Sequence, residues 1–247
     1  MIDLNIIDKE FRNYVHGFDM NNDKVALKFE HTFETVKVMA RICKDRNLNE
    51  EDTLLAKAIA YFHDMGRFIQ VQRINSFDDD ILDHAVLGVE LLFDDKYIEK
   101  FNVDEKYYDI IYKAIINHNL LMIEEGLEER TEMFCKLIRD ADKIDILRVN
   151  VKYRPPKFIE IPTPRVLDNF INTIIIKKKD CKNKSDKILL LLAFIYDINY
   201  KESYKILNEL NYYRDFLDIM ETSKDTEKTY KVIREKVLNY FDKQLED

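Results

Sequence analysis

The chain has 247 residues, 46% hydrophobic and 35% charged, enough to bury a sizeable core in one or two domains. A net charge of −8 leaves no global basic field for a nucleic-acid polymer, so an anionic ligand would need placed Arg or Lys side chains or a metal ion. Only four glycines and four prolines occur, which excludes a dinucleotide fingerprint or a phosphate-cradling glycine loop and predicts long regular elements in an all-α fold.

Along the chain, Met1 to Glu10 mixes charged and apolar residues without a long apolar run, so no signal peptide is expected. From Lys24 to Lys44 the charged residues Glu30, Glu34, Lys37, Arg41 and Lys44 share one arc at about 100° per residue. Leu27, His31, Thr35, Val38 and Ile42 share another face, flanked by Phe29, Phe33, Val36 and Ala40. So wide an apolar arc predicts a central helix with His31 pointing inward. A second helix starts at Asn49, a good N-cap, with Glu50, Glu51 and Asp52 suited to the positive end of its dipole. Leu55, Ile59, Phe62 and His63 line its buried face, and Gly66 is expected to end it in a left-handed conformation, leaving His63 and Asp64 at the turn.

The following helices are read by the same period. One carries His84, Leu87, Gly88 and Leu91; another carries Ile111, Ala114, Ile115 and His118; a third, from about Thr131 to Val149, carries Phe134, Ile138, Ala141, Asp142 and Asp145. All four prolines then fall between Pro155 and Pro164, which predicts an extended connection. The organisation expected is a helical core at 1–150, a proline-rich connection at 151–164 and a helical extension at 165–247 packed on the core. In the extension, Lys177, Lys178, Lys179 and Lys182 read as a solvated helix end. Tyr196, Tyr200, Tyr204, Tyr212, Tyr213 and Phe216 read as an aromatic surface for packing on the core, with room for a homodimer contact. The longest apolar run, Ile188 to Ile195, is too short to span a bilayer, so no membrane partner is expected. Cys43, Cys135 and Cys181 are odd in number and widely spaced, which predicts reduced thiols and a cytoplasmic location.

Four of the five histidines thus fall on inward faces of separate helices, together with Asp64 and Asp142; only His16 is left over. Imidazole nitrogen with carboxylate oxygen is a donor set for divalent metal ions, and facing helices are where such sites are built. A lone histidine on an apolar face is more often a hydrogen-bonded core residue, but the adjacent His63-Asp64 adds a buried carboxylate that needs a partner. Asp140 and Asp142 are two apart on a helix and face opposite sides, so one ion would not take both. Asp142 shares the Ile138 face, while Asp140 orients a neighbour or meets solvent.

The ordered series His31, His63-Asp64 and Asp142 resembles the HD-domain superfamily of metal-dependent phosphohydrolases over roughly residues 20–150. The segments His63 to Phe68, Asp83 to Gly88, Asn117 to Asn119 and Arg139 to Lys143 are similar to compact bacterial HD proteins. The resemblance implies an HD helical core in which His31, His63, Asp64 and Asp142 hold one divalent ion. His84 and His118 are similar to the extra histidines of binuclear members, where Asp64 would bridge and these two would hold a second ion. The competing reading has them contact substrate phosphate or move protons over a single ion. Mn, Fe, Mg, Ni or Co is expected ahead of structural Zn.

The implied activity is hydrolysis of a phosphoester in a nucleotide or similar small phosphorylated metabolite. Metal chemistry would generate the nucleophile from water and neutralise charge on phosphoryl oxygens. Asp64 would hold the nucleophile, while Arg67 and Lys143 are the candidates to grip phosphate, with surface ion pairing as the bland reading of each. Arg139 and Asp145 are supporting candidates. The segments after Asp64 and His118 lack the glutamate of HD deoxynucleoside monophosphatases and the Gly-Tyr-Pro of cyclic-di-GMP phosphodiesterases. The loop Gln70 to Asp80, with Phe77, is read as a pocket wall able to meet a base, or as a solvated connection. The alternative from another class is a catalytically silent nucleotide-binding HD module acting as sensor or scaffold.

Overall fold

The computed structural model describes residues 2–246, and these are almost entirely helical apart from turns and two two-residue strands. The chain divides into two compact units, Met1–Asp145 and Ile146–Asp247. No described helix is long and apolar enough to cross a membrane.

The first unit contains α1 (Leu4–Val15), α2 (Asp23–Asp45), α3 (Glu50–Phe62), α4 (Met65–Ile74), α5 (His84–Val89), α6 (Tyr108–His118) and most of α7 (Glu129–Tyr153). Helix α1 has no counterpart in the sequence reading. Asp3 caps it, and Ile7, Phe11, Tyr14 and Val15 form its buried face. The Phe11 ring meets Phe29 and Phe33 of α2, Tyr61 of α3 and Phe68 of α4 with centroids 5.6–6.3 Å apart. Burying such a ring contributes about 1.5–3 kcal/mol. The Tyr14 hydroxyl also donates to the Met65 carbonyl oxygen at 2.9 Å, so α1 fastens the start of α4.

Helix α2 is central as expected, burying Val25, His31, Thr32, Thr35, Val36, Val38, Met39, Ile42 and Cys43. Asn49 caps α3 by accepting from the Asp52 amide. The turn after α3 differs from expectation. Only His63 and Asp64 separate α3 from α4, Asp64 has φ −111° and ψ 13°, and Gly66 lies inside α4. Its φ is not positive; among the described glycines only Gly126 has that conformation. Gly66 is small for a different reason: a Cβ there would collide with the His84 carbonyl oxygen and the Gly88 amide of α5. After α5 the chain continues in a π-helical turn, Glu90–Asp94. That wider turn shifts the register by one residue, so Leu92 rather than the expected Leu91 is buried.

The second unit has its own interior. The proline-bearing segment carries β1 (Lys157–Phe158), which pairs in parallel with β2 (Glu221–Thr222), and Pro164 starts α8 (Pro164–Ile171). Helices α9 (Lys184–Leu192), α10 (Lys201–Glu209), α11 (Tyr212–Asp218) and α12 (Glu227–Glu246) follow. Tyr204 and Tyr213 both meet Phe241 of α12, and their hydroxyls donate to the carbonyls of Ile195 and Leu192. These two tyrosines and Phe216 are buried, while Tyr196, Tyr200 and Tyr212 are half-buried. The lysines at 177, 178, 179 and 182 are exposed, as expected of a solvated run.

Candidate metal centre

Asp64 joins two clusters of imidazoles. Its side chain is 2% exposed, at the junction where α3 hands over to α4. On one side, its Oδ2 lies 3.3 Å from His31 Nε2 and 3.4 Å from His63 Nε2. Asp142 completes this side, with Oδ1 3.0 Å from His31 Nε2 and 3.7 Å from His63 Nε2. On the other side, Asp64 Oδ1 lies 3.3 Å from His84 Nε2 and 4.0 Å from His118 Nε2. The two Nε2 pairs are themselves close, at 3.4 Å for His31 and His63 and 2.9 Å for His84 and His118. All six residues expected as ligands therefore meet around one carboxylate, while His16 lies exposed elsewhere.

The far nitrogen of each imidazole is anchored. His63 Nδ1 donates to the Ala60 carbonyl at 2.8 Å and His118 Nδ1 to the Ile115 carbonyl at 2.6 Å. Both bonds reach three residues back into the histidine's own helix end, so local geometry sets them. His31 Nδ1 is 2.6 Å from Asp145 Oδ2, and His84 Nδ1 is 2.7 Å from Asp79 Oδ1. Carbonyl and carboxylate acceptors keep a proton on Nδ1, so each Nε2 faces Asp64 and offers a lone pair there whenever its ring is neutral. Two such lone pairs 2.9 Å apart can share one proton at most, and a divalent cation suits the arrangement better. By geometry, His31-His63-Asp64 and Asp64-His84-His118 are both groups able to hold an ion. Asp79, Asp83 and His84 form a third such group, but Asp83 is committed to capping α5 and Asp79 to His84 and Arg67.

Charges within the protein compensate the buried carboxylates. Burial would raise the Asp64 pKa, but Lys28 and His63, with hydrogen bonding from His31, hold it well below the ordinary carboxylate value. Asp142 is likewise held low despite burial, through His31 and His63. For His31, burial and Lys28 oppose protonation, yet Asp142, Asp145 and Asp64 prevail and push its pKa up to about 10. His63 moves upward too, with Asp64 overcoming burial. His118 goes the other way, down to about 3, because burial acts together with the charges of His84 and His63.

Arg139 donates to the carbonyls of Asn117, His118, Leu120 and Leu121, which fixes the end of α6 that carries His118. Asp140 is fully buried, so solvent is not its environment. Lys143 is buried beside Asp142 on α7. Arg67 stands 3.6 Å from Asp64 Oδ1 through its Nε, while its terminal nitrogens bond to Asp79, Gln70 and the Phe77 carbonyl.

Two participants escaped the sequence reading. Lys28 lies one turn before His31 on α2, and its Nζ is 2.5 Å from Asp64 Oδ2. Its spacing of three from His31 on a predicted helix was the available signal. Asp79 lies in an acidic loop with no periodicity, and only the folded chain brings it under His84. Phe77 of the same loop sits between two cations, 5.6 Å from Lys28 Nζ and 5.7 Å from the Arg67 guanidinium.

The HD domain family model matches residues 29–149. No curated protein and no solved structure matches the chain. The matched segment contains His31, His63-Asp64, His84, His118 and Asp142, and with them both His/Asp clusters described above. Over this segment, just under half of its length, the chain carries an HD domain.

Proposed function

We propose that this protein hydrolyses a phosphoester bond of a nucleotide or similar small phosphorylated metabolite, using two divalent ions. The observation that carries the reading is the division of Asp64 between its two oxygens, one directed to each imidazole pair. His31, His63, Asp64 and Asp142 would hold one ion, and Asp64, His84 and His118 the other. The nitrogen and oxygen donors fit Mn, Fe, Mg, Ni or Co, and the absence of thiolate among them argues against a structural zinc site. When bound, such ions acidify water and neutralise charge on phosphoryl oxygens.

The chain's own groups supply orientation and counter-charge. Asp64 fixes where the ligand pairs converge. Lys143, beside Asp142, is the cation we assign to a substrate phosphate oxygen. His118, with its proton on Nδ1 and no carboxylate partner there, has its pKa pushed down to about 3 by burial and the neighbouring imidazoles. Catalysis resides in the first unit, which contains every ligand. The buried thiols of Cys43 and Cys135, pushed up to about 12 by burial, are inert and fit a reducing cytoplasm.

Hydrolysis of bis-p-nitrophenyl phosphate and p-nitrophenyl phosphate under Mn²⁺, Ni²⁺ and Mg²⁺ tests the proposal. Turnover that disappears in Asp64→Ala supports it. Ions bound without turnover of these esters or of a nucleotide panel would replace it with a silent binding module.

A further inference from the structure

Arg67 has the placement of a phosphate grip but not the freedom of one. Its Nη1 already faces three acceptors, Gln70 Oε1 at 2.7 Å, Asp79 Oδ1 at 2.7 Å and the Phe77 carbonyl at 3.2 Å. Its Nη2 donates to Asp79 Oδ2 at 3.0 Å, closing a two-bond fork on that carboxylate. The remaining nitrogen, Nε, points toward Asp64 and is buried. An end-on grip of phosphate through Nη1 and Nη2 would require Arg67 to abandon Asp79.

Asp79 in turn is committed to the metal centre. The same Oδ1 that takes Arg67 also accepts from His84 Nδ1 at 2.7 Å and from Gln70 Nε2 at 3.0 Å. Gln70 is held from both ends, accepting from Arg67 and donating onward to the Leu82 carbonyl. The loop between α4 and α5 is thereby tied back onto α4 through one carboxylate, four residues before the cap of α5. Neither Asp79 nor Arg67 has such a bond to His31 or His63, whose Nδ1 atoms use Asp145 and Ala60.

Resting on the two-ion reading above, we propose that Arg67 and Asp79 are positioning residues for the second ion only. Arg67 aligns the Asp79 carboxylate, Asp79 fixes the tautomer and tilt of His84, and His84 Nε2 thereby faces Asp64 and His118. The phosphate-gripping role expected for Arg67 passes to other cations of the centre.

The test counts ions. Metal-free full-length protein is titrated with Mn²⁺, and bound ions are quantified for the unaltered chain, Asp79→Asn and Arg67→Met. A second readout is the affinity for inorganic phosphate with both subsites loaded by excess Mn²⁺. The unaltered chain is expected to bind two ions. Both variants are expected to keep the first at unchanged affinity and to bind the second about 10–100-fold more weakly. Loss of only the second ion shows that the fold persists, and the near-isosteric Asp79→Asn covers the case in which Arg67→Met misfolds. The double variant is expected to lose no more than either single one, because both act through His84. Phosphate affinity of Arg67→Met is expected to stay within about twofold at full loading.

Two ions bound at unaltered affinity in Arg67→Met, with phosphate binding lost, would overturn the proposal and return Arg67 to the substrate. Equal weakening of both ions would reduce the network to general scaffolding. A single ion in the unaltered chain would instead sink the two-ion reading itself, and the inference with it.

Discussion

The two sides of Asp64 are built from the same parts in different proportions. Each has two imidazoles, one anchored on a carboxylate and one on a backbone carbonyl. The first side adds Asp142, whereas the second has only its share of Asp64. The consequence is visible in proton affinity: His31 is pushed up to about 10, while His118 is pushed down to about 3. Without metal, the first side holds protons where the second offers an uncharged nitrogen. Carboxylate count therefore sets both how tightly a side grips a cation and how strongly a proton competes for it.

The largest effect on this comparison should come from Asp64→Ala, which removes the shared carboxylate. Binding on both sides is expected to fall by more than the ~10–100-fold typical of losing an outer partner, and turnover to vanish with it, as read by metal titration and ester hydrolysis. Gly66→Ala comes next and separates the sides. The new methyl group pushes against the backbone at His84 and Gly88, so overpacking should cost about 1–3 kcal/mol in denaturant unfolding. Second-ion binding is expected to fail while His31 and His63 still take the first. Asp145→Asn is the mirror experiment to Asp79→Asn: about 10–100-fold weaker first-ion binding, with the second side unchanged in the same titration.

The smallest effect sharpens the comparison by pH. His31 has its pKa raised in the fold, so its stabilisation of the metal-free protein is complete below about pH 6.5 and is lost as pH climbs toward 10. His118 has its pKa depressed, so its contribution is complete above about pH 6.5 and is lost as pH falls toward 3. The melting temperature of metal-free protein should thus pass through a maximum near pH 6.5. First-ion binding at neutral pH should release protons that second-ion binding does not, which calorimetry in buffers of different ionisation enthalpy resolves. Equal proton release at both steps would erase the distinction drawn between the sides.

What could be read from the sequence follows the range of the forces involved. His31, Asp142 and the His63-Asp64 pair were legible because helical period fixes which face a side chain occupies, and helix ends announce themselves by caps such as Asn49. Asp145 was visible as a supporting residue for the same reason. Helix α1 carried the same kind of signal, since Ile7, Phe11, Tyr14 and Val15 recur at helical spacing behind the cap Asp3, but the mixture of charged and apolar residues through Met1 to Glu10 masked it. The smallness of Gly66 was legible, but its cause was not: the approach of α5 is tertiary. The exchange of Leu91 for Leu92 depends on one extra residue in a turn, which a regular period does not contain. Arg67 was chosen for its charge and proximity to Asp64, and both hold; the commitment of its nitrogens to Asp79 depends on a loop closing back from 12 residues away.

Lys28 gives the centre a history as well as a shape. Its ammonium on Asp64, together with the protons on His31 and His63, lets the three neighbouring carboxylates Asp64, Asp142 and Asp145 pack together without any external ion. The polypeptide can therefore complete its folding first and acquire metal afterwards, unlike small zinc domains whose structure waits for their ion. A chelator should silence such a protein and leave it standing. A cation arriving at Asp64 would have to displace an ammonium already in place.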